Sequence, residues 1–581
     1  MLTLPEWYTQ EHIKPIADGI RYSLDIEYGI IDTKAMRDKN IGLDIDHFEY
    51  KKGSLPDDGR ADYSPAYLKD YLKKTVTYAK DPVQKPFATF EQNYFKLDWD
   101  GLRLYDKTNP DALDGYYQGF VSKEVCGDDA RFIDNQRPSV TYTFDELIFP
   151  YGLTLLFDSA GNTFPEEFTV TATTKDDRKT EINHNAAGPE SEVVFPTEDS
   201  KKGFKEIKIV FNRMNRPNLR ARLAKVVFGV YRNFGNDVLT DTFTCEFDLD
   251  AASSRMPRQK MSFSLYDADG DYNMENPKSF YEYLTEKQPI KAALTAKHDE
   301  QEEIFPICAM VLSGKAENKG KSVSFSAESY LQNTKEKAVN LPSGGGMIID
   351  LLKEVFKQMD MPVTELGEQR WKIEEGLESL YVITTANLNG EELNKCVQML
   401  CQAGNCIVYE DFFGIIHVKS RPPVLEKDES FDEMERKYIH FNKMFSVPEL
   451  NKYPPLEKVS LEHGASGTVS SDIYGVGEIQ EIKNPVIKNI SNANTVKNIA
   501  NHLGKEYSLR NEFSTSIRSG IELEPFDQII AQTQYAKKRR ALITKKTLKF
   551  NGALNSDIRF IDENKIIEDD NPETPPKGDD T

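Results

Sequence analysis

Short runs in which apolar and polar residues alternate recur along most of this chain, and a period of two is typical of half-buried β-strands. The first such run is Ile20–Tyr28. Six further runs lie between residues 88 and 232: Val140–Phe144, Gly152–Phe157, Glu167–Thr173, Glu190–Phe195, Glu206–Phe211 and Leu223–Phe228. Because clusters of Gly, Asn, Asp and Pro separate these six runs, they predict a β-sandwich or jelly roll.

Two other groups of alternating runs predict two smaller β units. The first group lies between residues 233 and 338: Cys245–Leu249, Met261–Leu265, Ile290–Thr295, Cys308–Leu312 and Val323–Ala327. The second group lies near the C-terminus: Phe513–Ile517, Gln528–Gln532 and Leu542–Phe550. Because short, closely spaced strands are typical of small β-barrels, each group is interpreted as a barrel.

The spacing of apolar residues changes to that of helices in the second half of the chain. It predicts helices over Met347–Met359, Leu393–Leu400 and Val496–Tyr507. Gly404 follows the second of these, where a helix end favours glycine, and a strand hairpin, Cys406–Val418, comes next. A helix followed by a hairpin predicts a compact α+β unit.

The expected fold is therefore mostly β with α+β parts, divided among several domains. The chain is divided as follows: 1–87, an N-terminal arm with the first strand; 88–232, a jelly-roll insert; 233–338, a first barrel; 339–422, an α+β domain; 423–505, a mixed connecting domain; 506–561, a second barrel; and 562–581, a disordered acidic tail. The tail is assigned to disorder because it is acidic, contains proline and has no apolar period.

Charge and cysteine content narrow the possible classes of function. A formal net charge of −21 over 581 residues opposes nucleic-acid binding, which depends on Lys and Arg at phosphates. No apolar stretch approaches the ~20 residues of a membrane span, and the N-terminus lacks the pattern of a signal peptide. The cysteines are predicted to be reduced, buried thiols of a protein folded in a cytoplasm. They are Cys126, Cys245, Cys308, Cys396, Cys401 and Cys406.

The acidic segment Asp267–Glu275 invites comparison with a calcium-binding loop. An EF-hand loop that starts at Asp267 requires Gly at its sixth position and Glu at its twelfth, where this chain has Tyr272 and Lys278. We therefore interpret the segment as a turn whose Asp and Asn side chains bind local backbone amides. No metal site and no cofactor are predicted.

Two further motifs have simple structural interpretations. The glycine run Ser343–Gly346 lacks the Lys and Ser/Thr of a phosphate-binding loop, so we interpret it as a flexible hinge. The basic run Lys537–Arg540, with Lys545 and Lys546 nearby, has Tyr535 as its one neighbouring aromatic residue. Because single-strand binding needs several stacking aromatics, the run is predicted to be a solvated turn or a contact with an acidic neighbour.

No catalytic residues are predicted, because the chain contains neither an H-E-x-x-H nor a G-x-S-x-G motif and its histidines are scattered. The stretch after the last predicted strand is also too short for a catalytic domain such as a lytic module. Aromatic side chains near the start of the insert leave a carbohydrate-binding site open, with core packing or subunit contact as the alternative. They are Trp99, Tyr105, Tyr116 and Tyr117.

Several patches resemble the tail-tip or baseplate hub proteins of phages that infect Gram-positive bacteria and of phage-tail-like bacteriocins. Met214–Gly229, with Phe168–Thr171 before it, resembles strands of the galactose-binding-like jelly roll inserted in many of these hubs. Met261–Pro277 resembles a hub barrel strand and its exit. Ile517–Ile529 and Ile543–Leu554 resemble the closing strands of the hub barrel.

The resemblance implies a homotrimer in which residues 233–338 and 506–561 are hub barrels I and II. Three copies would then present six barrels to the hexameric tail tube. The partners it implies are the tail tube or distal tail protein, baseplate or receptor-binding proteins, and the tape measure or central spike. The expected location is the virion tail tip or a tailocin particle, made in the host bacterial cytoplasm. The alternative function is a carbohydrate-binding host-recognition protein of the tail.

Overall fold

The structure, a computed structural model, describes most of residues 120–566 and several short stretches before them. Those stretches are residues 5, 7–8, 20–32, 42–46, 72–73 and 83–84. Within 120–566, the described part leaves out residues 158–161, 224, 235–237, 240, 251, 274, 277–278, 280, 315, 319, 335–337, 343, 360, 362–368, 378–379, 422–436, 466 and 533–538.

The N-terminal part contributes four strands: β1 (Arg21–Ile31), β2 (Gly42–Asp46), β3 (Leu72–Lys73) and β4 (Val83–Gln84). In β1 the side chains of Leu24, Ile26 and Tyr28 are buried and alternate with partly exposed ones. This alternation confirms the strand predicted at Ile20–Tyr28. β3 and β4 pair with each other.

The next part forms a two-sheet sandwich. This part of the chain contains β5 (Phe120–Val125), β6 (Ser139–Ile148), β7 (Gly152–Leu156), β8 (Pro165–Thr174), β9 (Lys179–Asn185), β10 (Glu190–Val194), α1 (Thr197–Ser200), β11 (Phe204–Met214), β12 (Arg220–Leu223) and β13 (Lys225–Val227). It ends with β14 (Gly229–Asn233), which pairs with β1 outside the sandwich. A five-stranded sheet, β2-β6-β11-β8-β9, faces a three-stranded sheet, β10-β7-β13. Both sheets contribute to one apolar core within residues 126–228. The run predicted as one strand at Leu223–Phe228 is divided between β12 and β13.

The following strands belong to the region predicted as barrel I. They are β15 (Phe243–Asp248), β16 (Arg258–Tyr266), β17 (Pro289–His298), β18 (Gln301–Leu312), β19 (Glu317–Asn318) and β20 (Ser322–Glu328). Each contains or extends a predicted alternating run, except β19, which was not predicted. Their apolar faces, together with β1, surround a second core.

The mixed part follows. It contains β21 (Gly346–Met347), α2 (Ile348–Gln358), β22 (Trp371–Ile373), β23 (Tyr381–Val382), α3 (Leu393–Ala403), β24 (Cys406–Glu410), β25 (Ile416–Ser420), β26 (Lys437–Ile439), β27 (Glu449–Lys452), β28 (Leu456–His463), β29 (Gly467–Ser470), β30 (Glu478–Ile482), α4 (Pro485–Lys488) and α5 (Ala493–Ser508). The three predicted helices and the hairpin are confirmed. One core joins α2 and α3 to β28 and α5, so the boundary expected at residue 422 does not separate two cores.

The last strands are β31 (Asn511–Arg518), β32 (Gln528–Ala531), β33 (Arg539–Phe550) and β34 (Leu554–Ile566), which enclose a fourth core. β34 was not predicted, and it extends into the stretch assigned to a disordered tail from residue 562. The strand continues past residue 561 because the Asp562 side chain, which is fully buried, forms an ion pair with Arg539 of β33. The backbone of Asp562 also pairs with β31 and β33.

One sheet of fourteen strands, the central sheet, joins the two regions predicted as barrels. Its order is β14-β1-β17-β18-β20-β16-β15-β33-β34-β31-β27, with β19 beside β20 and β32-β26 beside β33. The two regions were expected as separate barrels, and this expectation needs correction, because β33 pairs with the edge of β15. They nevertheless keep two largely separate cores on this shared sheet. The fold class, mostly β with several domains and small α+β parts, is confirmed.

Candidate functional site

The contact between the two halves of the central sheet is the feature that most constrains what this protein can do. β15 and β33 pair antiparallel over six residues, from Phe243 opposite Phe550 to Asp248 opposite Lys545. We call this pairing the seam. Because backbone hydrogen bonds form along its length, the seam fixes the register and the orientation of one half against the other.

A buried lysine lies at the seam. Lys546 of β33 is fully buried, and its ammonium group donates a hydrogen bond to the backbone carbonyl of Leu523. The same Nζ lies 5.1 Å from the ring centroids of both Phe247 and Phe412. Phe247 belongs to β15 and Phe412 follows β24, so one cation contacts both halves of the sheet and the α+β part. Aromatic faces and a carbonyl oxygen offset the cost of removing the charge from water.

A buried carboxylate makes the second contact between parts. Glu410, at the end of β24, accepts hydrogen bonds from the backbone amides of Leu331 (2.6 Å) and Tyr330 (3.1 Å) just beyond β20. Burial raises the pKa of Glu410 to about 7, although the two amides and Arg370 lower it in part. The backbone carbonyl of Glu410 also accepts from Gln259 Nε2 at 2.7 Å. The α+β part is therefore attached to the first half of the sheet by polar contacts as well as apolar ones.

A third buried charged group lies where β15 leads into the mixed part. Arg421 is buried, and its guanidinium lies 3.3 Å from Ser253 Oγ. Burial raises the pKa of Glu506 to about 7, against the favourable field of Arg421, and Asp250 raises it further. A cavity of about 390 Å³ adjoins this group, with Asp250, Glu506 and Tyr453 in its lining.

The outer face of the central sheet at β27, β31, β33 and β34 is polar, and its charged side chains form ion pairs with nearby side chains. A second cavity, of about 520 Å³, lies on this face. Its lining consists mainly of Ser, Thr and charged side chains of β27, β31, β33 and β34: Ser446, Glu449, Ser514, Thr515, Ser516, Lys545, Thr547, Lys549, Asp557, Ile558 and Arg559. Lys545 pairs with Glu246 at 3.1 Å, and Lys549 pairs with Asp557 at 2.6 Å. This arrangement suits a hydrated surface better than a binding site for one charged ligand.

Several residues singled out by the sequence have a described position. In the acidic loop, the amide of Tyr272 donates to Asp267 Oδ2 at 3.4 Å, and Asn276 donates to the Gly270 carbonyl at 3.0 Å. These bonds confirm the prediction of a turn bound to its own backbone. Gly345 has φ +77°, and a Cβ there would lie 2.2 Å from the carbonyl oxygen of Val382. Gly345 is thus packed tightly against β23, which opposes a flexible hinge at this residue, whereas a Cβ at Gly344 would meet nothing within 4 Å.

The basic run is divided between different environments. Arg539 forms an ion pair with Asp562, Lys545 pairs with Glu246, and Lys546 is buried in the seam. All three belong to β33, so the prediction of a solvated turn is wrong for these residues. Lys537 and Lys538 lie outside the described residues.

The predicted carbohydrate-binding residues Trp99, Tyr105, Tyr116 and Tyr117 lie outside the described residues, so they stay a prediction. All six cysteines are buried and free, as expected, and burial raises the pKa of the Cys396 thiol to about 12. In the part of the chain that the structure describes, no three His, Cys, Asp or Glu side chains are grouped closely enough to hold a metal ion. No helix in that part is long and apolar enough to cross a membrane.

The residues that join the parts, namely Lys546, Glu410 and Arg421, were not predicted from the sequence. One local signal was available for Lys546, because it lies two positions before Leu548 and so shares the inward face of a strand. Glu410 and Arg421 stand at the ends of strands, where a charged residue normally indicates solvent, and their burial depends on distant segments.

No protein-family model and no curated protein sequence matches this chain. Solved structures that are similar to part of this chain include a tail protein from Neisseria meningitidis (TM-score 0.39, 8% identity, covering 57% of this chain and 94% of that one). Another is prophage tail protein gp18 from Listeria monocytogenes (TM-score 0.35, 13% identity, 58% and 92%). A third is a component of the type VI secretion system from E. coli (TM-score 0.34, 12% identity, 56% and 74%). Likeness at this level carries no functional conclusion by itself.

Proposed function

We propose that this protein is a structural, non-enzymatic subunit of a phage-type tail tip, which assembles as a homotrimer to cap the hexameric tail tube and to anchor baseplate or fibre proteins. The observation that carries this proposal is the seam, because it holds two β units with separate cores side by side within one chain. Three such chains around an axis contribute six units, which matches the number of positions on a hexameric tube.

The contacts at the seam favour a rigid role over a hinged one. Lys546 and Glu410 tie the two halves of the sheet and the α+β part together through buried polar contacts. A subunit that adapts three-fold to six-fold symmetry needs its two units held in a fixed relation, because any movement between them would break the match.

The test is the stoichiometry and shape of the purified protein. We expect analytical ultracentrifugation to give a trimer at high concentration and electron microscopy to give a ring with six β units around a channel. A protein that stays monomeric at all concentrations, and also when mixed with a tail-tube protein, would contradict the proposal. A ring in which the number of β units is not six would contradict it as well.

A further inference from the structure

The cavity of about 390 Å³ beside Glu506 lies between the central sheet and the mixed part of the chain. Glu512 of β31 lines it from the sheet, and Glu478 of β30 and Glu506 of α5 line it from the mixed part. We call it the junction cavity. A molecule bound in this cavity would contact both parts at once.

The lining of the junction cavity carries an excess of negative charge. Five carboxylate side chains and three basic ones contribute to it. Two of the basic groups already have partners, since Arg255 pairs with Asp248 at 2.7 Å and Lys545 pairs with Glu246 at 3.1 Å. Four carboxylates then stand against Arg559, which is exposed on β34. A cavity of this sign concentrates cations.

Glu506 is the lining carboxylate that is most deeply buried, with 7% of its surface exposed. Among the described residues its carboxylate makes neither a hydrogen bond nor a close ion pair, and Arg421 acts on it only from a distance. Neither carboxylate oxygen is sealed from solvent, so the group opens into the junction cavity. Because a buried carboxylate without a partner is costly, a cation placed beside it is stabilised.

Asp250 holds a second negative charge near Glu506. The backbone amide of Ala252 donates to Asp250 Oδ1 at 3.0 Å, and the amide of Ser254 donates to Oδ2 at 3.1 Å. These bonds fix the orientation of the Asp250 carboxylate. It lies close enough to Glu506 to act on that group electrostatically, so the two charges reinforce each other on a cation between the parts.

The other lining residues indicate the kind of cation. Tyr453, Tyr507 and Leu509 stand in the same lining as the two carboxylates. Tyrosine rings attract cations, and apolar side chains pack against carbon stems. A bare metal ion gains nothing from these groups, whereas an organic cation uses both the carboxylates and the rings.

We infer that the junction cavity binds an organic cation, namely an ammonium or guanidinium group on a carbon stem, with its charge against Glu506 and its stem against Tyr453 and Tyr507. Free polyamines carry such a group, and so do the lysine and arginine side chains of a partner protein. The inference concerns a ligand site and does not depend on assembly into a trimer.

The first experiment is isothermal titration calorimetry of the full chain with spermidine, acetyl-arginine amide and magnesium chloride. Salt at about 0.15 M screens attraction to exposed charges. We expect saturation at one site per chain for at least one of the two organic probes and no saturation with magnesium. Tighter binding of spermidine would favour a free polyamine as the ligand, and tighter binding of acetyl-arginine amide would favour a protein side chain. Failure of both organic probes to saturate a site, or equal binding of magnesium, would overturn the inference.

The second experiment compares Glu506→Gln with Glu146→Gln, which changes the net charge equally. Glu146 is an exposed residue of β6, outside the cavity lining. Glu506→Gln should raise the dissociation constant of the organic probe by about tenfold or more, because a charge-assisted contact is lost. Glu146→Gln should leave it unchanged, and an equal loss in both variants would show attraction by net charge alone.

Tyr453→Leu tests the site without touching a buried group, since Tyr453 is 41% exposed. It should weaken binding of the organic probe by about threefold, the size of one exposed cation–aromatic contact. Thermal midpoints measured without ligand check that each variant is folded. If Glu506→Gln did not fold, unchanged binding in a folded Tyr453→Leu would still overturn the assigned position of the ligand.

The pH dependence of binding provides a further readout of Glu506. Burial raises the pKa of Glu506 to about 7, while Arg421 lowers it in part and Asp250 raises it. The pKa of the adjacent Tyr507 is raised above its ordinary value of 10, so it does not titrate in this range. Because the ionised carboxylate binds the cation, affinity should increase as pH rises through about 7, and Glu506→Gln should abolish the increase. An increase that persisted in this variant would contradict the role of Glu506.

Discussion

The sandwich and the central sheet bury alternating strands in different ways. The described core residues of the sandwich lie within residues 126–228, although its edge strand β2 comes from residues 42–46. The central sheet draws the core of its first half from residues as distant as Tyr8 and Leu554. A hydrogen bond of 2.7 Å between Tyr8 Oη and Ser519 Oγ spans 511 positions of the chain.

The buried charged groups of these two regions also differ in position, because they lie either inside one core or at a contact between parts. In the sandwich, Arg222 is fully buried, and burial lowers its pKa to about 9. It lies within the sandwich, near Thr163. In the central sheet, Lys546 and Glu410 lie at contacts between parts. A polar group inside one core affects that core alone, whereas a polar group at a contact couples the parts that it joins.

In this chain, sequence separation and mechanical coupling therefore go together. A core built from neighbouring residues is able to open by itself, as local units of folded proteins do. A core built from both ends of the chain opens only when those ends separate.

The largest effect is expected for Phe168→Ala in the sandwich. Phe168 is fully buried and packs on Phe157, with ring centroids 5.8 Å apart. Truncation leaves a cavity that lowers the free energy of unfolding by about 3–5 kcal/mol. Hydrogen exchange should show the loss of protection in β6, β8 and β11, while β15 and β33 keep theirs.

An equal loss of protection in the sandwich strands and in β15 and β33 would contradict this prediction. It would show that the sandwich and the central sheet unfold as one unit. Ile133→Ala, at an exposed position on the sandwich, serves as the control and should change the free energy of unfolding by less than about 0.5 kcal/mol.

Strands with clear alternation were predicted because alternation is a local property, while their pairing is not. The strands β26 to β30 lie in the stretch interpreted as a mixed connecting domain and were not predicted individually. The run Leu542–Phe550 identifies a strand without indicating that it pairs with residues 243–248, about 300 positions earlier. β34 was missed because the polar residues Ser556 and Asp562 occupy inward positions of its alternation. The partner of Asp562, Arg539, comes from β33. The sequence thus predicts elements, and only the fold supplies the partners that make charges tolerable inside them.

The candidate site follows the same rule. The carbohydrate-binding aromatics were chosen for residue type alone, and the residues that join the parts of this molecule are of types that usually face solvent. Lys546 was grouped with a basic surface run because Lys545 is adjacent to it and Arg540 lies six positions before it. Its burial depends on Phe247 and Phe412, and no local pattern links these three residues.

Substitution of Lys546 should lower the free energy of unfolding less than Phe168→Ala does, but it should affect more parts of the molecule. Lys546→Ala removes the stem that packs between Phe247 and Phe412 and leaves the Leu523 carbonyl without this donor, so unfolding should become easier by about 3 kcal/mol. Lys546→Met keeps most of the packing volume and should cost about 1–2 kcal/mol. Hydrogen exchange should report lower protection in β15, β33 and β24 together.

Lys545→Ala is the matched control, because Lys545 is the adjacent lysine and its ion pair with Glu246 is partly exposed. Pairs of this kind contribute about 1 kcal/mol or less. If Lys546→Ala lowered protection in β33 but left β15 and β24 unchanged, the lysine would stabilise one strand and not the contact between parts.

The smallest expected effect is the contribution of Glu410 to the pH dependence of the free energy of unfolding. Its folded-state pKa is raised to about 7 by burial, while the unfolded carboxyl titrates near 4.3. The folded state therefore holds a proton that the unfolded state releases, so this residue contributes stability that is full below the unfolded pKa and is lost as pH rises through about 7. Glu506 acts in the same direction, so the slope will not vanish when one of them is changed.

Glu410→Gln should flatten part of the decline in the free energy of unfolding between about pH 4.5 and 7, an effect on the order of 2 kcal/mol. Urea unfolding across this range, followed by hydrogen exchange at residues 330–331, measures it. Glu449→Gln is the control for net charge, because Glu449 is exposed on β27, and it should leave the slope unchanged. An equal change of slope in both variants would show that overall charge, and not the buried contact at β24, sets the pH dependence. In that case the coupling between parts would have to come from the seam alone.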